Sequence, residues 1–385
     1  MMLHSSEQHP SHGNYTVLFL VGRDFLNPHK AGGDIYMSEL ANLLAKKGFK
    51  VFMISHASGK KNSVLYSNGI WIFRVAGLFS YPLRVFNIYL RYFRGNVRVV
   101  FEDIIGGFRL PSLAKLYIKE KIIVVLHQRN KPIFYAQFNF FLAFLSSLIE
   151  YLVSLVYRNA LVLTPSFKSA LDVSRLGFRK IRVLHPLVRF KCSESDYLDY
   201  NERNLIVFIG VLRRYKCPHH IIQALKIIKD TLPPKYKLVI AGKVSDYDRG
   251  YIRYLFKLIR EYELSDRVIF RINISEEEKK ELLKRALCLI VPSPIEGFSI
   301  VSIEANRCGT PVIASEGVPE EVVVDYVNGL RYRYGNINEL AEKIYKLALD
   351  IALWRNLSRA ALTMSRGFSE EAVEEKVARI INGGV

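Results

Sequence analysis

The sequence predicts an α/β chain built from two Rossmann-like, doubly wound domains that face each other across a cleft. Three observations carry this reading. Two series of short apolar runs alternate with helix-length segments, a polar and aperiodic stretch separates the series, and 385 residues at 50% apolar composition are enough for two ordinary cores.

The first series opens at YTVLFLV (15–21), a continuous apolar run of the kind buried on both faces of a parallel sheet. A loop containing Pro28, Gly32 and Gly33 follows. DIYMSELANLLAKKG then shows helical periodicity, closes at Gly48 and leads into the strand KVFMIS, which makes a βαβ unit opening on a glycine loop. Further strands are expected at 97–102, 121–127, 160–166 and 180–186. Residues 187–204, LVRFKCSESDYLDYNERN, lack any period and read as a linker. The second series places strands at 205–212, 236–242, 267–272, 286–293 and 310–315. The chain thus divides into residues 14–190, residues 203–366, and a final helix within 367–385 expected to cross back onto the first domain. Ligands of such sheets bind beyond the carboxyl ends of the strands, so the cleft is the expected site.

Charge is distributed unevenly. Of a formal net +19, residues 1–200 hold 26 Lys and Arg against 12 Asp and Glu, and the remainder 29 against 24. No acidic residue occurs between Glu39 and Glu102, where ten basic ones do. Inside that gap Arg84, Arg91, Arg94 and Arg98 alternate with Phe86, Tyr89, Tyr92 and Phe93. Two readings stand: a surface for anionic membrane or phosphate-bearing lipid, and a half-buried helix with a solvated basic face. The same charge would attract nucleic acid, which is not the expected partner.

Residues 138–158, FNFFLAFLSSLIEYLVSLVYR, carry polar residues at helical spacing (Asn139, Ser146, Ser147, Glu150, Ser154, Arg158). They read as an amphipathic helix packed in the protein, because a span needs ~20 apolar residues, with partial dipping into a bilayer surface as the alternative. The leading MMLHSSEQHPSHGN offers no apolar core for a signal peptide, so a cytoplasmic location is expected. Cys192, Cys217, Cys288 and Cys308 show no CxxC spacing; reduced thiols, no disulfide framework and no zinc site are expected.

EGFSIVSIEANRCGTPVIAS (296–315) sets Glu296 and Glu304 eight positions apart around a helix start. Gly297 permits close backbone approach to a ligand, and the first amides of the helix suit a diphosphate. Eight helical residues rise ~12 Å. That separation suits two carboxylates gripping different hydroxyls of one long ligand better than an acid–base dyad. Taken alone, Glu304 reads equally as a surface helix residue and Glu296 as a cap.

PSPIEGFSIVSIEANRCGTPVIAS resembles the E-x7-E signature of the retaining GT-B glycosyltransferases of family 4, and the likeness continues over nearly all of the chain after residue 14. LNPHKAGGDIYMSELANLLAKKGFKV resembles the family's glycine loop and first helix. FEDI and VVLHQ fall at its acidic pair and histidine, and LTPSFKSALDVSRLGFRKIRVLHP at its strand before the linker. GVLRRYKCPHHIIQAL resembles its basic loop, and YVNGLRYRYGNINELAEKI its closing segment. The resemblance implies a UDP- or GDP-linked sugar donor on the second domain and a lipid-linked or glycan acceptor on the first. Transfer would keep the anomeric configuration and need neither metal nor cofactor, with the departing phosphate taking the acceptor's proton.

Residue by residue, the resemblance assigns Lys216 to the leaving diphosphate, Glu296 to the sugar, Glu304 to the ribose, and His127 to the transferred sugar. Gly210, Gly297, Phe298 and Ser299 line the donor, and Gly32 and Gly33 approach the phosphates or the acceptor. Glu102 and Asp103 are candidates to orient the acceptor hydroxyl; Asp103 reads equally as a helix cap. Three positions depart from the pattern. Val211 replaces the arginine after the loop glycine, leaving Arg213 or Arg214 to supply its charge. Cys217 replaces the glycine after the lysine, and Ile272 or its neighbour replaces another. The expected protein is a hexosyltransferase on an anionic membrane surface. A soluble acceptor, or a scaffold without turnover, is the alternative.

Overall fold

The computed structural model describes residues 15–382 apart from 28–29, 58, 60, 78–79, 105–110, 194–196 and 245–247. The first domain contains β1 (Thr16–Val21), α1 (Gly32–Lys46), β2 (Lys50–His56), β3 (Ser63–Ser67), β4 (Ile70–Val75), α2 (Tyr81–Tyr92) and β5 (Val99–Asp103). It continues through β6 (Lys121–Val125), α3 (Lys131–Gln137), α4 (Phe140–Tyr157), β7 (Leu161–Thr164), α5 (Phe167–Ser174) and β8 (Lys180–Val183). Its strands run β3-β4-β2-β1-β5-β6-β7-β8. All neighbours are parallel except β3 and β4, a hairpin turning on Asn68 and Gly69 at φ of 52° and 77°, the left-handed pair that a two-residue hairpin needs. The apolar-run reading missed this hairpin because β3 is mostly solvent-facing.

The second domain contains β9 (Leu205–Ile209), α6 (Pro218–Ile228), β10 (Lys237–Gly242), α7 (Arg249–Glu261), β11 (Val268–Ile272), α8 (Glu276–Lys284) and β12 (Ala286–Val291). α9 (Ile300–Arg307), β13 (Val312–Ser315), β14 (Gly329–Tyr332), α10 (Ile337–Leu349) and α11 (Ile351–Ser365) complete it. The sheet is wholly parallel in the order β11-β10-β9-β12-β13-β14, reversing direction of growth between β9 and β12. β14 was not anticipated. The last helix, α12 (Glu370–Asn382), returns to the first domain as expected: Val373, Val377 and Ile381 are buried in one core with Phe19, Met37 and Leu40. This is the GT-B arrangement.

The first sheet is therefore covered by α1 and α12 on one face. On the other, α2 and α4 share a core through Tyr81, Val85, Tyr89, Val153 and Tyr157.

Two expectations are corrected. α4 is amphipathic but inverted: Ser146, Glu150 and Ser154 are buried, while Phe140, Phe141, Phe144, Leu148, Tyr151, Leu152 and Leu155 are exposed. Glu150 and Ser154 face inward because they have partners there. Glu150 Oε1 accepts from the Asn130 backbone N–H at 2.7 Å, and Ser154 Oγ lies 3.1 Å from the Leu176 carbonyl. The second correction concerns the cysteines. Cys192 in the linker and Cys308 at the end of α9 form a disulfide, their Cα atoms 5.4 Å apart; Cys217 and Cys288 are free and buried. A bridge across a sequence separation of 116 residues leaves no trace in local spacing.

Arg203 closes the base of the second domain. Only 1% exposed, it donates to the carbonyls of Leu198, Ala286 and Cys308 and to Thr310 Oγ1, and its guanidinium lies 4.9 Å from the Trp354 ring centre. Burial draws its pKa down to about 10, which leaves it a cation at neutral pH. Replacing it with Met keeps much of the stem but orphans four acceptors, so Arg203→Met is expected to lose at least about 3 kcal/mol in urea unfolding. A loss under 1 kcal/mol would show that water satisfies these groups.

Candidate active site

The carboxyl ends of the two sheets enclose a cavity of ≈ 440 Å³. On the second domain its wall is the loop after β12 and the first turn of α9. Helix α9 begins only at Ile300, with Ser299 at a left-handed φ of 77° as its N-cap. Glu296 thus sits in a loop, and Glu304 lies one turn into the helix rather than two beyond its partner. Both line the same cavity, as do Ser299, Ile300 and Val301, so the positive end of α9 opens into it.

Each glutamate holds a lysine. Lys216 Nζ donates to Glu296 Oε1 at 2.6 Å, and Lys279 Nζ to Glu304 Oε1 at 2.8 Å; Lys279 also reaches Glu276 at 2.6 Å. All four paired side chains are 79% or more buried, the most exposed being Lys216 at 21%. Burial pushes the Lys216 ammonium down more than any single neighbour raises it, but the charge and hydrogen bond of Glu296 together with Tyr215 outweigh it and hold the pKa above the ordinary lysine value. Burial raises the Glu304 carboxyl, and Lys279 opposes that rise without cancelling it.

The first domain supplies the facing wall: Lys30, Gly32, Gly33 and Tyr36 from the start of α1, and His127 just beyond β6. His127 is braced on several sides. Its Nε2 lies 3.3 Å from Asp103 Oδ1, without hydrogen-bond alignment, and Tyr36 meets the ring edge-on at 5.3 Å. A side chain at Gly33 would come within 2.8 Å of the ring. That packing explains the glycine directly.

The two walls also touch. A Cβ at Gly297 would lie 2.5 Å from the His127 carbonyl oxygen, and Ser169 Oγ sits 2.8 Å from that oxygen and 3.0 Å from the Gly297 carbonyl. Lys168 Nζ donates to Glu316 O at 2.8 Å alongside. Phe298 packs against His185 and Phe368, with ring centres 5.7 and 5.3 Å away. Gly297 is therefore set by a neighbouring backbone, as well as by any ligand.

Of the residues singled out in the sequence, Lys216, Glu296, Glu304, His127, Gly32, Gly33, Gly210, Gly297, Phe298 and Ser299 line the cavity. Arg213 and Arg214 are not part of its wall; Arg213 Nε pairs with Asp248 at 3.4 Å. Glu102 is turned into the first domain, where Ser112 and Tyr157 each donate to it at 2.6 Å. Burial raises its carboxyl pKa. Asp103 ends β5 beside His127 and caps none of the described helices. The glycine departures have a geometric basis: Cys217 stands at φ 54° and Asn273, the neighbour of Ile272, at φ 57°, both left-handed.

Residues 193–364 match the family described as Glycosyl transferases group 1. The chain carries a glycosyl transferases group 1 domain. Over 161 residues it is 28% identical to the D-inositol 3-phosphate glycosyltransferase of Nocardiopsis dassonvillei, covering 41% of this chain and 38% of that one. The chain spans less than half the length of the curated relatives it matches. In three dimensions it resembles the sucrose-phosphate synthase of Thermosynechococcus elongatus (TM-score 0.78, 20% identity, 96% of this chain and 98% of that one). It also resembles Anabaena HepE solved with UDP and glucose (TM-score 0.75, 18% identity, 96% and 100%). At these identities the structures establish the fold of the group 1 domain and of its partner domain.

Sequence reasoning missed Lys279, Lys30 and Ser169. Lys279 lies among four acidic residues and two further lysines in SEEEKKELLK, where nothing distinguishes it from a solvated helix face. The seam between the walls generates a test. Gly297→Ala must push the His127 peptide away, an overpacking that costs about 1–3 kcal/mol. Hydrogen exchange at residues 126–128 and 167–169 is expected to accelerate relative to the rest of the first domain. Unchanged exchange would mean that the two walls move independently.

Proposed function

We propose that the protein is a retaining glycosyltransferase, moving a hexose from a UDP- or GDP-linked donor to a lipid-linked or polysaccharide acceptor. The observation that carries this reading is the pairing of Lys216 with Glu296 and Lys279 with Glu304 around the positive end of α9, opposite His127 and the glycine loop. A nucleoside diphosphate sugar fits that order. The α9 amides and Lys216 take the diphosphate, Glu304 accepts from ribose hydroxyls, and Glu296 and His127 hold the sugar between the domains.

In the transfer the bond from the anomeric carbon to the phosphate oxygen breaks and a bond to the acceptor oxygen forms on the same face of the sugar. The acceptor proton passes to the departing phosphate. Negative charge grows on that phosphate, so a fixed ammonium beside it lowers the barrier by electrostatic pre-organisation rather than by covalent catalysis. Lys216 supplies this charge in place of a metal ion. HepE, bound to UDP and glucose, favours uridine over guanosine as the donor base.

Membrane surface completes the proposal. Helix α2 and the turn after it expose Arg84, Arg91 and Arg94 with Leu83, Leu90 and Tyr92, and the helix shares one face of the sheet with the outward apolar stripe of α4. Basic charge beside exposed aromatic and aliphatic side chains suits the anionic cytoplasmic face of a bilayer.

Three experiments test this. Thermal unfolding against UDP, GDP, ADP and their sugar conjugates is expected to show stabilisation by one nucleotide only. In the transfer that this identifies, Lys216→Ala is expected to lower kcat on the order of 10²–10³-fold while the protein stays folded. An unchanged rate removes Lys216 from the reaction. Flotation with liposomes is expected to depend on anionic lipid and to fall when Phe140, Phe141 and Phe144 are replaced by Ser. Equal binding to neutral vesicles, or none, overturns the membrane part.

A further inference from the structure

The basic loop ends in Cys217-Pro-His219-His220, a run that the donor reading leaves unused. We infer that Cys217, His219 and His220 form a site for a borderline divalent cation of the zinc class, at the start of α6 and directly behind Lys216. The three residues offer one sulfur and two imidazole nitrogens, which all lie within 4.8 Å of one another. A tetrahedral ion with bonds of ~2.0–2.3 Å needs them to close by about 1 Å, a side-chain adjustment, and leaves a fourth position for water. Thiolate and imidazole donors without any carboxylate select zinc, cobalt or nickel over magnesium or calcium.

Independent observations point to an absent partner. The Nδ1 atom of His220 is enclosed with no hydrogen-bond partner, in a side chain only 8% exposed. The Tyr332 hydroxyl, on a residue 2% exposed, is likewise unpartnered, and it interacts electrostatically with Cys217. Buried polar atoms are almost always bonded, so two orphans around one cluster call for an ion or its water. The Nδ1 of His219 meets the Tyr251 hydroxyl at 2.7 Å, the kind of outer hydrogen bond that fixes an imidazole whose opposite nitrogen holds a metal. The Cys217 sulfur makes only weak thiol contacts, 3.4 Å to Arg214 O and 3.6 Å to both Tyr215 O and the Tyr334 hydroxyl, which a metal bond would replace.

The site would clamp the loop from Arg213 to Cys217, and so fix the direction in which Lys216 leaves it. That consequence rests on the donor reading; metal binding itself does not. The full-length protein, stripped with chelator, is titrated with Co²⁺ and then with Zn²⁺. A thiolate-to-cobalt charge-transfer band saturating at a single equivalent is expected, displaced by Zn²⁺, together with a Zn²⁺-dependent rise in Tm.

Cys217→Gly relieves the left-handed backbone at that position, so its metal-free Tm is expected to match or exceed the parent's while band and Zn²⁺ response are both lost. His220→Gln is expected to weaken binding at least tenfold. No cobalt band in the parent chain, or a band or Zn²⁺ response that persists in Cys217→Gly, overturns the site.

Discussion

The His127 peptide rests against Gly297, and the geometry of the cleft follows from that contact. The first domain can come this close only because residue 297 has no side chain, and the approach holds the histidine ring and the start of α9 on opposite sides of one narrow space. Ser169 fastens the contact by lying within hydrogen-bond reach of a carbonyl from each domain. Motion between domains is the default where their interface is small and polar. Here it must act through a seam of named atoms rather than a smooth surface.

The charges inside the cleft are tolerable because none of the four stands alone. A buried ammonium or carboxylate without a partner costs several kcal/mol, whereas Lys216–Glu296 and Lys279–Glu304 arrive already matched. The raised Glu304 carboxyl shows that matching is incomplete, since burial still outweighs its lysine. A ligand bringing both an anion and hydroxyl donors could take over these contacts, the anion meeting lysine and the hydroxyls meeting glutamate. Each lysine–glutamate pair thus keeps together two groups that would serve one molecule.

The parallel strands were legible because burial on both faces makes them continuous apolar runs, and the cleft followed from strand direction. What escaped was whatever depends on where a side chain points. α4 has the helical spacing the sequence promises, yet Glu150 and Ser154 face inward, because only the tertiary neighbours Asn130 and Leu176 give them partners. The hairpin of β3 and β4 carried its own signal in Asn68–Gly69, which a search for apolar runs passes over. Cys192 and Cys308 meet only because the linker returns across α9. In the site, the glutamates and Lys216 lie in a patterned stretch, while Lys279 sits in a helix where lysine and glutamate are everywhere.

Finally, α12 gives the chain an order of assembly. Val373, Val377 and Ile381 fill part of the same core as β1 and α1, more than three hundred residues earlier in the chain. During synthesis the opening domain must therefore wait, its apolar face incomplete, while the whole second domain emerges and folds as a contiguous unit. A segment made late is thus the one that closes a core begun much earlier.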